Sequence, residues 1–103
     1  MNVTFYRERL RKIRARNEVS LVIRRGASSL SAQLMRIEYA GARGFKLQSD
    51  AARSAQQAVF ILGEHDMDIQ KEDRLTHDGK LIRVVFIQLN RLFATIAEGV
   101  VEE

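Results

Sequence analysis

The segment from Asp68 to Ile87 constrains the fold most, because an Asp-Gly pair lies between two apolar runs near its centre. Both central positions of a tight two-residue β-turn need positive φ, and Asp78 and Gly79 are residue types that adopt it. The pattern predicts a β-hairpin in which Leu75 faces Ile82. This structural turn is the strongest local signal in the chain.

The second strand of the hairpin is apolar on both faces. We expect Ile82, Val84 and Phe86 to face a core, because alternate side chains of a strand point to the same side. The opposite face, interrupted by Arg83, carries Leu81, Val85, Ile87 and Leu89. A closed barrel buries only one of these sets. The other set therefore needs cover from a helix of the same chain or from a neighbouring subunit.

The N-terminal segment has the period of an amphipathic helix, which we predict over residues 4–16. Thr4 is the expected N-cap and Asn17 the expected exit. The apolar stripe consists of Val3, Tyr6, Leu10 and Ile13. We expect its last three residues to cover the second face of the hairpin strand. Phe5 and Tyr6 then belong to the core, and they are not platforms on which bases stack.

Alternation with a period of two predicts further strands in the rest of the chain. They are expected at residues 19–25, 33–39, 58–62 and about 92–101, in addition to the hairpin. Leu92, Ala94 and Ile96 are the expected inner face of the last strand. Residues 41–57 are expected to form a long loop, with helix over 50–57 as an alternative.

Short strands that follow a single helix favour a mainly β fold. We predict a small antiparallel β-barrel of about six or seven strands, with the N-terminal helix packed against it and the long loop between the second and third strands. The length of 103 residues fits one domain, residues 1–103, with the barrel over 19–103. The lack of cysteine excludes disulfides. No apolar run approaches the roughly 18 residues of a membrane helix, so we expect a soluble, unexported protein without a membrane partner.

The formal net charge of +4 is unevenly distributed along the chain. Arginines dominate the N-terminal segment, whereas the C-terminal end carries Glu98, Glu102 and Glu103. A basic end that meets the acidic end of the next copy would build a ring, and contact with nucleic acid is the other use of such charge. The candidate docking residues are Arg7, Arg9, Arg11 and Arg14.

The most enzyme-like cluster is the run Glu64-His65-Asp66-Met67-Asp68. Neighbouring residues of an extended segment point to opposite sides, so few of these groups can converge on one metal ion. An acidic solvated loop is the simpler interpretation. We therefore assign no catalytic, cofactor-binding or metal-binding residue, expect no cofactor, and expect a protein that is not an enzyme.

The order of parts resembles the small head-tail joining proteins of tailed bacteriophages, also called head-closure or stopper proteins of the neck. The resemblance is best from about Ala58 to Glu103 and only architectural before that. It is carried by a hairpin pattern D-R-[LF]-T-x-D-G-K-x-x-x-V-V and by a segment near the terminus. The matching residues are Asp73, Arg74, Leu75, Thr76, Asp78, Gly79, Lys80, Val84 and Val85, followed by Ala94, Thr95, Ile96, Ala97 and Glu98.

The resemblance implies a structural virion component, made in the bacterial host cytoplasm, that forms a homo-oligomeric ring at the portal-tail junction. Its partners would be connector or portal proteins and tail proteins. The ring would enclose a central channel through which DNA passes, and the long loop would lie toward this channel. Its basic residues Arg43, Lys46 and Arg53 would then lie near DNA, in a contact that does not depend on the DNA sequence. The glycines of that loop fit plain flexibility equally well.

Two other functions remain open from the sequence. A tail terminator or another neck protein is the near alternative, because barrels of this size serve several positions of a connector. A small basic nucleic-acid-binding barrel that uses the arginine helix directly is the alternative from a different class.

Overall fold

The computed structural model describes residues 3–14, 18–39, 47–54 and 57–102, which form a mainly β protein with an N-terminal helix. The helices are α1 (Val3–Arg14) and α2 (Asp50–Ser54). The strands are β1 (Glu18–Leu21), β2 (Arg24–Arg25), β3 (Ser28–Ser29), β4 (Gln33–Tyr39), β5 (Ala58–Gly63), β6 (Arg74–His77), β7 (Lys80–Ile87) and β8 (Thr95–Glu102). The predicted fold class is confirmed.

The eight strands of the described residues form one antiparallel sheet in the order β1-β4-β5-β8-β7-β6-β2-β3. Only Val22 and Ile23 separate β1 from β2, yet β1 pairs with β4 at one end of the sheet and β2 with β6 near the other. The sheet must therefore curl, and β1 contacts β6. The result is a half-barrel. The strand predicted over 19–25 is divided into β1 and β2, and β3 follows at Ser28–Ser29, where no strand was predicted.

The predicted hairpin is confirmed in its turn and its register. Asp78 and Gly79 have φ angles of 51° and 75°. Leu75 pairs with Ile82, as expected. The turn chemistry of the Asp-Gly pair therefore fixes the alignment of β6 and β7.

The predicted faces of β7 are correct up to Val85 and wrong for Phe86 and Ile87, because the strand contains a β-bulge. Val84 pairs with Gly99 and Phe86 pairs with Glu98, so Val85 is an extra residue on β7. One inserted residue shifts the alternation by one position. Phe86 consequently leaves the core face, and Ile87 packs against the main core.

Two apolar clusters lie on opposite sides of the sheet. The main core consists of Ile23, Met35, Val59, Ile61, Met67, Ile69, Leu75, Ile82, Val84 and Ala97. The second cluster consists of Ala52, Ala58, Val85 and Val100, with Leu47 and Phe86 packed against it.

The segment around α2 covers the second face of the sheet, and α1 does not. Ala52 of α2 and Leu47 before it pack on Val85. The predicted cover by Tyr6, Leu10 and Ile13 is therefore wrong for the first two residues, and the side chain of Ile13 lies outside the described part. The helix predicted as an alternative over 50–57 is observed over Asp50–Ser54.

The last strand begins at Thr95, later than predicted, and its inner face differs from the prediction. Ala97 lies in the main core, whereas Leu92 precedes the strand and is exposed. The inner residues are small because β7 passes close by: a Cβ atom on Gly99 would lie 2.6 Å from Cγ2 of Ile82. Small residues give little apolar contrast, so the alternation pointed to the wrong face.

Candidate interaction surface

Helix α1 is attached at the edge of the half-barrel by two of its arginines. The Nε of Arg7 donates a hydrogen bond to the carbonyl oxygen of Leu92 at 2.8 Å. The Nε of Arg11 lies 2.6 Å from Oε1 of Glu64 in an ion pair, which raises the pKa of Arg11. These two predicted docking residues therefore hold the helix on its own chain.

The aromatic side chains of α1 lie at the surface, so the prediction that they belong to the core is wrong. Phe5 is 52% exposed and Tyr6 is 43% exposed. The ring of Tyr6 packs on Phe93, with the ring centres 5.5 Å apart. The period of α1 is helical, but the described contact of Tyr6 outside the helix is with Phe93, in the segment before β8, which the sequence pattern did not reveal.

The other two predicted docking arginines have different outcomes. Arg9 is exposed and lines a pocket with Tyr6, Leu10 and Phe93. The side chain of Arg14 lies outside the described part. Arg9 is therefore the predicted docking residue that the structure places at an accessible apolar surface.

The basic residues of the long loop are only partly described. Arg43 and Lys46 lie outside the described residues. Arg53 lies in the last turn of α2 and is exposed. The structure therefore places one of the three predicted loop cations at the surface, beside the second apolar cluster.

A buried carboxylate anchors the segment that leads into α2. Glu98 of β8 is fully buried. Its carboxylate accepts hydrogen bonds from the backbone N–H of Gln48 at 2.9 Å, from the backbone N–H of Ser49 at 3.0 Å and from the Ser49 hydroxyl at 3.0 Å. The Ser49 oxygen in turn accepts a bond from the N–H of Ala52 and so caps α2. The base of the long segment is thereby fixed to the sheet.

Two of the three glutamates at the acidic C-terminal end form contacts within the chain. The carboxylate of Glu98 is bonded to Gln48 and Ser49, as described above. Glu102 pairs with Arg74 at 3.2 Å and with Arg83 at 3.4 Å, and these arginines, Arg74 foremost, lower its pKa. Glu103 lies outside the described residues.

A second buried carboxylate ties the first strands to the hairpin, and sequence analysis missed it. Asp73 is 1% exposed, and its carboxylate accepts hydrogen bonds from Nε of Arg25 at 3.0 Å and from Nη2 of Arg25 at 2.9 Å. Asp68 also accepts a bond from Arg25. The hydrogen bonding to Asp73 is the largest cause that raises the pKa of Arg25, and the hydrogen bond to Asp68 is the second. The separation of 48 positions between Arg25 and Asp73 leaves no local pattern that could reveal the pair.

The acidic run that most resembled an enzyme site is dispersed in the structure. Glu64 pairs with Arg11, and Asp68 pairs with Arg25. Asp66 is exposed. Within the described ranges, no group of three or more histidines, cysteines or carboxylates is placed to hold a metal ion.

The side chains of Tyr39, His77 and Lys80 lie close together beside the hairpin turn, at the end of the half-barrel away from α1. The hydroxyl of Tyr39 lies 3.3 Å from Nδ1 of His77. The Nζ of Lys80 lies 4.9 Å from the centre of the Tyr39 ring. Burial, with a smaller effect of Asp78, raises the pKa of Tyr39.

Comparisons with known proteins gave no match. No family model matches the chain, and neither the curated proteins nor the solved structures contain a significant match. Neither of the helices that the structure describes has the length and apolar character needed to cross a bilayer.

Proposed function

We propose that this protein is a non-enzymatic structural component of a bacteriophage virion, a head-tail joining or head-closure protein that forms a ring at the portal-tail junction. The observation that carries the proposal is the arrangement of parts: a basic N-terminal helix, a curled antiparallel sheet with the Asp-Gly hairpin, and a long segment between β4 and β5 whose base is fixed to the sheet. This is the order of parts on which the resemblance to head-closure proteins depends.

The anchoring of the long segment supports this role. A channel-facing segment must leave the barrel at a defined place, or its cations would not stay near DNA. The buried Glu98 carboxylate supplies such a fixed origin through Gln48 and Ser49. Arg53 then lies on an exposed surface of the anchored part. A tail terminator or another neck protein would use the same parts at a neighbouring position.

Deletion of the gene from the phage or prophage genome tests the proposed role. We expect particles with heads and tails that are separate, visible by negative-stain electron microscopy, and restoration of joined particles by the gene supplied in trans. Normal joined particles from the deletion strain would contradict the proposal. A tail-terminator role predicts tails of irregular length in the same images.

A second candidate, a small nucleic-acid-binding barrel, is favoured by one observation. Phe5 and Tyr6 are exposed beside Arg9 and Lys12, an arrangement that suits base stacking next to phosphate contacts. Against it, Arg7 and Arg11 are already engaged by the chain itself.

A salt titration of DNA binding separates the two candidates. Fluorescence anisotropy of a labelled duplex is measured at several salt concentrations, with an Arg9→Gln/Lys12→Gln variant as the comparison. The neck protein is expected to bind free DNA weakly at physiological salt. Micromolar or tighter binding that falls steeply with salt and is lost in the double variant would favour the nucleic-acid-binding barrel.

A further inference from the structure

Helix α1 presents an exposed surface that combines apolar side chains with unpaired cations. Tyr6, Arg9, Leu10 and Phe93 line one pocket. An adjoining pocket is lined by Phe5, Glu8, Arg9 and Lys12. We call the residues of these two pockets the helix surface.

The cations of the helix surface have no partner among the residues that the structure describes. Arg7 and Arg11 point to the body of the protein and form bonds there. Arg9 and Lys12 are exposed and form no hydrogen bond or ion pair with a described residue. Glu8 offsets part of this charge. The surface as a whole is therefore basic around an apolar pocket, which favours an acidic partner with a protruding apolar group.

A second exposed surface has the complementary character. Leu34 lies on the outer side of β4 and is 55% exposed. It lines a pocket with Gln33, Glu64, Asp66 and Met67. We call these five residues the strand surface. Asp66 is exposed and forms no bond with a described residue, whereas Glu64 is held by Arg11.

The two surfaces cannot satisfy each other within one molecule. The Arg11–Glu64 ion pair fixes them side by side at the same end of the half-barrel. Leu34 does not line either pocket of the helix surface. Each copy therefore leaves an acidic surface with a protruding leucine and a basic surface with an apolar pocket.

The geometry points to a contact between two copies of this chain, in which Leu34 of one copy enters the pocket formed by Tyr6, Leu10 and Phe93 of another. Asp66 then meets Arg9 or Lys12 across the contact. The contact replaces exposed apolar surface with packing, and the charge pairs select its orientation. The inference rests on the proposed function, because it specifies the contact between copies that a ring requires.

Chemical crosslinking of the purified full chain tests the contact. The chain contains no cysteine, so engineered thiols are the only ones present. An untagged Glu8→Cys variant is mixed with a tagged Ala32→Cys variant and treated with a short bismaleimide. Both positions are exposed, at or beside the two surfaces, and neither is one of the proposed contact residues. We expect a mixed dimer in several-fold greater yield than the dimer of either variant alone.

Changes at the contact residues test its specificity. Leu34→Asp in the tagged chain is expected to reduce the yield of mixed dimer to background, whereas Leu81→Asp, at an exposed leucine near the hairpin turn, is expected to leave it unchanged. Arg9→Glu in the untagged chain is expected to reduce the yield roughly fivefold. Asp66→Lys in the tagged chain is expected to restore it.

A mixed yield no greater than the single-variant yields, or a yield that Leu34→Asp leaves unchanged, would overturn the contact. Circular dichroism of each variant confirms that the sheet has formed before crosslinking. The outcome is distinguishable from that of the proposed function: joined particles in the absence of the gene would remove the neck role, while loss of the crosslink alone would remove only this contact.

Discussion

At the scale of single residues, the structure depends on a few positions where a larger side chain does not fit. Gly99 of β8 is the clearest case, because a Cβ atom there would lie 2.6 Å from Cγ2 of Ile82 and 3.2 Å from the carbonyl oxygen of Arg83. Ile82 is fully buried and β-branched, so it cannot move aside without disturbing the core.

We therefore expect Gly99→Ala to lower the free energy of unfolding by about 1–3 kcal/mol, the usual cost of overpacking a core. Chemical denaturation measures the change. Gly63→Ala is the matched control in β5: its new methyl group would meet the side chain of Met67, which is flexible and can shift. Equal losses in the two variants would contradict the packing described for β7 and β8.

Tyr39 gives a prediction that depends on pH. Burial, helped by Asp78, raises the pKa of its hydroxyl above the ordinary value of about 10. The folded chain then keeps a proton that the unfolded chain has lost, so this contribution to stability is present below about pH 10 and is lost as the pH rises through the folded-state pKa.

The chain contains two tyrosines, so a Tyr6→Phe variant isolates Tyr39. We expect its tyrosinate absorbance to appear at a higher pH in the folded protein than in denaturant. Adding Asp78→Asn, which keeps a residue tolerant of positive φ at the turn, should lower the folded midpoint only partly, because burial is the larger cause. A folded midpoint at or below the unfolded one would disprove the assignment.

At the scale of elements, the sequence predicts best where local chemistry decides. The Asp-Gly turn fixed the register of β6 and β7, and the alternation of residues 33–39 gave β4 with the observed bounds. The bulge at Val85 carries no such signal, since it lies within a continuous apolar run. The inner face of β8 was missed because its neighbours in space, not along the chain, require small residues there.

The candidate site was less predictable than the fold. Whether an arginine of α1 is free or bonded depends on groups far along the chain, such as Leu92 for Arg7 and Glu64 for Arg11. The anchoring of α2 by Glu98 depends on a contact between residues 49 positions apart. Such pairings follow from tertiary packing. The spacing of apolar residues, with a period of two in strands and 3.6 in helices, does not encode it.

Glu98 is the element-scale test of how the long segment is held. Glu98→Gln keeps the side-chain size but replaces one acceptor oxygen by an NH₂ group that faces donors. We expect a loss of about 1–3 kcal/mol of unfolding free energy, because buried donors lose their partner. Hydrogen exchange should become faster at the amides of Gln48 and Ser49.

The control for this prediction is Glu102→Gln, at the more exposed ion pair with Arg74 and Arg83. It is expected to change stability much less and to leave the exchange of Gln48 and Ser49 unaltered. Unchanged exchange in Glu98→Gln would show that the carboxylate does not hold the segment.

At the scale of the whole molecule, several charged side chains of the half-barrel form ion pairs with one another. Arg25, Arg74 and Arg83 pair with carboxylates of the same chain. Near α1, the exposed cations Arg9 and Lys12 lie beside apolar side chains. The anchored segment and this exposed surface are the features on which the proposed role in an assembly depends.

Immunogold electron microscopy of phage particles released by the bacterium that carries this gene is the decisive test of the proposed position in the neck. Antibodies against the purified protein should label intact particles, or neck complexes separated from them, at the junction between head and tail. Particles that carry no label there, or label confined to the tail tip or the capsid, would contradict the assignment to the neck.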